Sequence, residues 1–413
     1  MDPSTTKTVA IIGGGQAGAQ AATSLRQWGF EGDICLVGEE TALPYQRPPL
    51  SKAYFKGEMD EERLYFKTAE WYEQQRIDVL TGIRAEKIDR TNRLVDLSNG
   101  GHMTYDALII STGSRPRPLP VDGADLANVF ELRGLDDVKA MVPQATAGKH
   151  IVIVGAGYIG LEAAAVARQL GLEVTVLEME PRILARVTSP LMSKFYTDLH
   201  ESNGVSIHTG ARLERLSGEN GNVTTAHLAD GTEIPCHLVL VGIGIVPNQD
   251  IAEEAGIACA DGILTDRDAR TNDRHIFAAG DCTVRPLVHY GRTGRLESVH
   301  NAIEQGKLAA ASILGRPRPA EDTPWFWSDQ YDVKLQIAGL SDGHDEVIVR
   351  GDIDTRSFAA FYYKNGRLIA VDAVNAAPEF LVAKKLIMLG NSLAPSDLSD
   401  TSVSMKELAA RAA

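Results

Sequence analysis

The feature that most limits how this chain can fold is a duplicated run of strand, glycine turn, helix and strand. Val9-Ala10-Ile11-Ile12 enters Gly13-Gly14-Gly15-Gln16-Ala17-Gly18, a helix is predicted over about 19–28, and Ile34-Cys35-Leu36-Val37 ends at Gly38-Glu39. The copy begins 142 residues later: Ile151-Val152-Ile153-Val154 enters Gly155-Ala156-Gly157-Tyr158-Ile159-Gly160, a helix runs to about Leu170, and Val174-Thr175-Val176-Leu177 ends at Glu178. In such a turn the first glycine allows the tight bend and the second lets the backbone approach a pyrophosphate. The third lets helix and strand pack closely, and the helix N-terminus offers unpaired N–H groups. One glycine string alone is weak. Two, each between a strand and a helix and each followed by a strand ending in an acid able to accept from a ribose diol, predict two Rossmann-like dinucleotide-binding domains in an α/β chain. The competing reading is a duplication in which one copy has lost its ligand.

The remaining strands suggest how the two domains interleave. Ala107-Leu108-Ile109-Ile110 stops at Ser111-Thr112-Gly113 and enters a proline-rich crossing, Arg115–Pro120. Leu238-Val239-Leu240-Val241 stops at Gly242 and runs on to Pro247, and Ile276-Phe277-Ala278-Ala279 meets Gly280-Asp281-Cys282. The chain is therefore expected to return to its first domain after completing the second. From about Asp322 the pattern changes to alternating strands, Glu346–Arg350 and Ser357–Tyr363, followed by helical residues. The expected division is 1–114 and 248–321 for a first nucleotide domain in two parts, 115–247 for the second, and 322–413 for a C-terminal α+β domain.

Composition narrows the function. At roughly 150 residues per domain, 413 residues make about three domains, and 44% apolar with 23% charged residues is an ordinary globular balance. A net charge of −14 argues against a general nucleic-acid or anionic-membrane surface. The opening MDPSTTK lacks a leader-like apolar run and no stretch of 18 uncharged apolar residues follows, so a cytoplasmic location is expected. Cys35, Cys236, Cys259 and Cys282 form neither a Cys-x-x-Cys nor a Cys-x-x-x-x-Cys pair. Their spacing builds no disulfide framework, zinc ribbon or redox dithiol, and no metal site is expected. Cys35, inside an apolar run, reads as a small packed hydrophobe. The carboxylate of Glu178 would repel a 2′-phosphate, favouring NADH over NADPH; Arg182 and Arg186 keep the phosphorylated form open.

With Pro48-Pro49-Leu50-Ser51-Lys52, Ser111-Thr112-Gly113, Ile276–Cys282, Glu297-Ser298-Val299-His300-Asn301-Ala302 and Pro324-Trp325-Phe326-Trp327-Ser328-Asp329-Gln330, nearly the whole chain resembles the glutathione-reductase-like flavoproteins. Within them it is similar to NADH:ferredoxin reductases of the putidaredoxin reductase type. The resemblance implies non-covalent FAD on the first repeat, NADH on the second and a C-terminal interface domain covering the flavin. It further implies electrons passed singly to a [2Fe–2S] ferredoxin that supplies a cytochrome P450.

Residue by residue, Gly13, Gly15 and Gly18 would meet the FAD pyrophosphate, Glu39 its ribose and Asp281 its ribityl hydroxyls. Asp281 could instead cap a following helix. Lys52 would lie beside the flavin, and Arg133 and Val299 match flavin-contact positions. Gly155, Gly157 and Gly160 would hold NADH with Glu178 on its ribose. Glu162 would contact the nicotinamide end and pair with Lys52 across the domain boundary, since a buried carboxylate left alone is costly. Trp327, with Trp325 and Phe326, would lie between flavin and surface, or simply form a hydrophobic knot. Because ferredoxins of this kind are acidic, a basic docking face is expected, with Lys307 and Lys406 matching docking positions of the type and Arg292, Arg295 and Arg316 added on local charge. His300 could tune the flavin, or be a solvent-facing or backbone-bonded residue. Disulfide, CoA-disulfide and cysteine-based NADH oxidase activities are disfavoured by the lack of cysteine between Thr41 and Lys56. Val299, where dioxygenase-linked reductases often carry tryptophan, leans toward the P450 branch. Alternatives are a reductase for a dioxygenase ferredoxin, rubredoxin or a small-molecule radical, or an NADH-responsive redox-sensing flavoprotein. A monomer or weak dimer is expected.

Overall fold

The structure, a computed structural model, describes residues 5–411, so the first four residues of the opening segment read above lie outside it. The chain forms two compact units. One contains the residues up to Gln46, Asp60–Arg115 and Val246–Asp322; the other contains Arg47–Met59, Pro116–Ile245 and the chain from Thr323 on. The chain passes between the units at 115/116, 245/246 and 322/323, and Pro116–Ile245 and the chain from Thr323 on fall in one unit. The segment 47–59 groups with the second unit. Its Ser51 and Lys52 side chains bond Glu162 there.

The first unit is built on a parallel sheet of five strands in the order Ile276–Ala278, Ala107–Ile110, Thr8–Ile12, Asp33–Val37 and Ile77–Leu80. Strand Thr8–Ile12 pairs Val9 with Ile34 on one side and with Ala107 on the other. Both sheet faces are covered, which is why these strands read as continuous apolar runs. Ile11, Leu36, Ile109 and Phe277 pack with Ala17, Ala21, Ala22 and Leu25 of the Gln16–Gln27 helix and with Ala309 and Ala310 of the Val299–Ile313 helix. Small residues let these helices close on one another: a Cβ at Gly306 would lie 2.6 Å from the Ala17 carbonyl oxygen. After Asp281 the chain forms a strand, Thr283–Leu287, so there is no following helix for Asp281 to cap.

The second unit repeats the plan with parallel strands in the order Val205–Thr209, Glu173–Glu178, His150–Val154, Leu238–Val241 and Val129–Glu131. It also carries a five-stranded antiparallel sheet, Trp325–Gln330, Val333–Gly339, Arg367–Val374, Ser357–Lys364 and Glu346–Asp352, in that order. The Ala377–Leu389 helix packs on this sheet through Phe380, Ala383, Leu386 and Ile387. A fully buried carboxylate, Asp372, fastens the sheet to the loop before the Pro190–Ser202 helix, accepting from the Thr188 and Tyr362 hydroxyls. Burial pushes that carboxyl up to about 6. No helix among the described residues is long and apolar enough to cross a membrane.

Candidate active site: two glycine loops and a buried ion pair

The two glycine turns adopt the same geometry for the same reasons. Gly13 and Gly155 have φ +109° and +103°, and a Cβ there would lie 2.2 Å from the Ser111 oxygen and 2.4 Å from the Gly242 oxygen. Only glycine fits. A Cβ at Gly18 or Gly160 would strike the carbonyl of Gly13 or Gly155 at 2.1 and 2.2 Å, so each helix is pressed onto its own turn. Gly15 and Gly157 differ: a Cβ at either meets no protein atom within 4 Å. Each caps its helix with φ near −80° and with no side-chain hydrogen bond to the first turn. Each unit therefore presents a glycine backbone open on one side and a helix N-terminus whose N–H groups are not satisfied by a capping side chain. This is the donor set that a pyrophosphate requires.

The acids after the second strand diverge. Glu178 is held by the turn itself: one carboxylate oxygen accepts from the Ala156 N–H at 2.8 Å and the other from the Glu180 N–H at 2.9 Å. Glu39 is exposed and, among the described residues, meets a distant Arg84 at 3.5 Å. Of the two arginines that could accept a 2′-phosphate, Arg182 is spent on the Ser193 hydroxyl and the Ala185 carbonyl, while Arg186 is exposed.

In the first unit, Asp281 follows Gly280 and accepts from the Ser114 hydroxyl at 3.1 Å. Its turn is pinned by buried Gln305, whose carbonyl oxygen accepts from the Gly280 N–H and the Thr283 hydroxyl, both at 2.8 Å. Val299 opens the Val299–Ile313 helix just after its cap, Ser298, where a backbone N–H has no carbonyl partner within the helix. His300 is turned largely away from solvent. Its ring is 12% exposed, with Asp322 at 3.3 Å and Glu304 at 3.8 Å. Burial beside Glu321 and Asp322 raises the Glu304 carboxyl, against the pull of Arg285.

The second unit holds the pair of opposite charges. Lys52 Nζ donates to Glu162 Oε2 at 2.5 Å, and the Glu162 side chain is only 4% exposed. The Ser51 hydroxyl reaches the same oxygen at 2.6 Å and the Ser328 hydroxyl reaches Oε1 at 2.7 Å. Glu162 lies one turn into the Tyr158–Gln169 helix, whose start is the second glycine loop. Phe326 packs on Tyr158 with ring centroids 5.0 Å apart, while Trp325 and Trp327 lie 5.5 Å apart. Trp325 also meets Phe380. The aromatic run is thus half-buried and built into the packing of this unit. Arg133 lies beyond strand Val129–Glu131, its carbonyl accepting from Arg47 at 2.7 Å.

Of the proposed docking cations, Lys406 is exposed and Lys307 half-buried, while Arg295 is engaged with Asp261 and Glu297. Arg316 bonds the Trp28 carbonyl. The sequence reading did not single out Ser51, Ser328, Gln330 or His200 as site residues. The only signal was that three of them, Ser51, Ser328 and Gln330, lie in motifs that carry the family resemblance.

The same glycine turn in each unit, with a buried lysine–glutamate pair in the second, fits a two-dinucleotide oxidoreductase. The model of the family described as pyridine nucleotide-disulphide oxidoreductase matches residues 7–306, and one described as reductase C-terminal matches 325–409. The chain belongs to the pyridine nucleotide-disulphide oxidoreductase family, and is an FAD- and NAD(H)-using enzyme with a glutathione-reductase-like fold. It is 43% identical to a probable ferredoxin reductase of Castellaniella defragrans over 97% of this chain and 98% of that one. The solved covalent putidaredoxin reductase–putidaredoxin complex matches with a TM-score of 0.96 at 41% identity, covering 98% of this chain and 99% of that chain. The ferredoxin reductase of the CYP199A2 system from Rhodopseudomonas palustris matches with a TM-score of 0.95 at 43% identity, covering 98% and 100%.

Proposed function

We propose that the chain is an NADH:ferredoxin reductase whose first glycine loop holds FAD, whose second holds NADH, and whose acceptor is a [2Fe–2S] ferredoxin serving a cytochrome P450 monooxygenase. The observation that carries this is the pairing of the same phosphate cradle in both units with the buried Lys52–Glu162 pair beside the second. Similarity to the reductase of the CYP199A2 system supports the P450 branch. Bound FAD supplies the conversion of a two-electron hydride donor into two single-electron deliveries.

The protein's own residues then have binding and orienting tasks. Gly13, Gly15 and Gly18 cradle the FAD pyrophosphate, Glu39 and Asp281 accept from its ribose and ribityl hydroxyls, and the Val299 N–H and Arg133 serve its other polar edges. Gly155, Gly157 and Gly160 cradle NADH, and Glu178, pre-set by two backbone N–H groups, takes the ribose diol and disfavours a 2′-phosphate. Glu162 fixes the Lys52 ammonium, a positive charge that favours electron density arriving at the flavin. Trp327 lines the electron path, and Lys307 and Lys406 serve an acidic partner. The enzyme works in the cytoplasm as a monomer or weak dimer.

The test is NADH and NADPH oxidation coupled to cytochrome c reduction, with and without a purified acidic [2Fe–2S] ferredoxin, at low and high salt. The expected result is a large, salt-sensitive gain from ferredoxin with NADH only. Fast flavin reduction with no gain from any ferredoxin would overturn the acceptor assignment and leave the two-nucleotide enzyme.

A further inference from the structure

Four buried or half-buried side chains lead away from Glu162 in a single file. The Ser328 hydroxyl contacts Glu162 Oε1 at 2.7 Å, Gln330 Nε2 contacts the Ser328 hydroxyl at 3.1 Å, His200 Nε2 contacts Gln330 Oε1 at 2.7 Å, and the Tyr331 hydroxyl contacts His200 Nδ1 at 3.3 Å. Ser328 and His200 are 0% exposed and Gln330 1%. Ser328 and Gln330 share one face of strand Trp325–Gln330 because they stand two residues apart. Tyr331 follows in a left-handed conformation, φ 56°, costly for a residue with a Cβ. That turn sets its ring against His200, with centroids 5.2 Å apart.

The chemistry of the ends fixes the direction of every link. An ionised carboxylate only accepts, so the single Ser328 hydrogen goes to Glu162 and Ser328 must itself accept from the Gln330 amide nitrogen. The Gln330 carbonyl then faces His200, so Nε2 carries the hydrogen, and Nδ1 of the neutral ring accepts from Tyr331. Burial depresses the His200 ring to about 4, which keeps it neutral at ordinary pH and preserves that order. Bonds aligned head to tail polarise one another and present their positive end to the carboxylate.

We propose that Tyr331, His200, Gln330 and Ser328 form a one-way hydrogen-bond chain that holds the Glu162 carboxylate in position against Lys52, making Ser328 and His200 positioning residues for hydride transfer. This rests on the reading above that the Lys52–Glu162 pair acts where nicotinamide meets flavin. Without Ser328 one oxygen of a buried carboxylate loses the donor that, among the described residues, faces it on that side, and the group is free to turn away from Lys52.

Two measurements test it on the holoenzyme. Spectra of protein labelled with 15N-histidine should show His200 as the neutral Nε2–H tautomer; the Nδ1–H tautomer, or averaging between the two, would overturn the direction of the chain. In single-turnover reduction of the bound flavin by NADH, Ser328→Ala should lower the limiting rate about tenfold with less than a twofold change in NADH affinity. His200→Phe should lower it about threefold, while Ser328→Thr and His200→Gln, which keep the donor, should restore most of it. If Ser328→Ala does not fold, Gln330→Met breaks the chain one link further back and is expected to fall between the two. Lys52→Met and Glu162→Gln separate the two readings. If they slow reduction and Ser328→Ala and His200→Phe do not, the chain has no positioning role. If the pair variants themselves leave reduction unchanged, the site reading fails and the chain falls with it.

Discussion

The two glycine loops are near copies in sequence and in backbone, yet they are finished differently. In both, the first and third glycines are forced by carbonyls of their own unit and the middle one is not opposed by any protein atom. The acid after the second strand is where they part: Glu178 accepts from the Ala156 N–H of the glycine loop and the Glu180 N–H just beyond its strand, while Glu39 is exposed beside a loose arginine. The difference suits two kinds of ligand. A cofactor that stays bound gains from its whole length of contact and needs no single rigid clamp. A substrate that must enter and leave every turnover gains most from a group already in place, because less ordering is needed on arrival.

The strongest way to break this comparison is to put a methyl where neither loop tolerates one. Gly13→Ala and Gly155→Ala each combine a positive φ with a carbonyl overlap and should destabilise by about 3 kcal/mol or more. Thermal unfolding and flavin content should show the first losing FAD, while the second keeps FAD and loses NADH binding. Equal loss of both ligands from either variant would mean the loops are not separate sites.

Gly15→Ala and Gly157→Ala form the milder pair. Their φ values suit alanine and no protein atom is met. The fold should hold, with apoprotein unfolding unchanged, while affinity falls at least about tenfold, an effect of about 1.4 kcal/mol, for FAD in the first case and NADH in the second. Unchanged affinity would show that neither phosphate approaches the backbone there.

The smallest and sharpest contrast is Glu178→Gln against Glu39→Gln. Loss of a charged acceptor is worth about 1.5–3 kcal/mol when it is well placed. NADH affinity should drop about tenfold and the preference over NADPH should narrow in the first variant, measured by titration with both nucleotides. FAD retention should change less than about threefold in the second, where the side chain is exposed.

Both loops were legible in the sequence because everything that forces them lies within a few residues or on an adjacent strand. The Lys52–Glu162 pair was visible only through family resemblance, since 110 residues separate its members and no periodicity links them. The donors around it were not legible at all. Ser51, Ser328 and His200 come from three separate stretches of chain, and a serine gives no sign of whether its hydroxyl is buried against a carboxylate or open to water. The alternative role for Asp281, capping a following helix, failed for a nearer reason. Thr283-Val284-Arg285-Pro286-Leu287 is rich in β-branched and apolar residues, and it forms the middle strand of a small three-stranded sheet, between Ile263–Leu264 and Arg292–Gly294. The carboxylates near His300 were not legible either, because one comes from one turn along its own helix and the other from a residue 22 positions on.

The four cysteines have a practical consequence. Cys236 and Cys282 are buried, and burial pushes the Cys35, Cys236 and Cys259 thiols up to about 11 and raises Cys282 as well. At neutral pH almost none of them is thiolate, the form that alkylating and oxidising reagents attack. The chain is thus close to silent toward thiol chemistry. A cysteine introduced on its surface would take up a dye or spin label almost alone, allowing the positions of nucleotide and ferredoxin to be followed in a working enzyme.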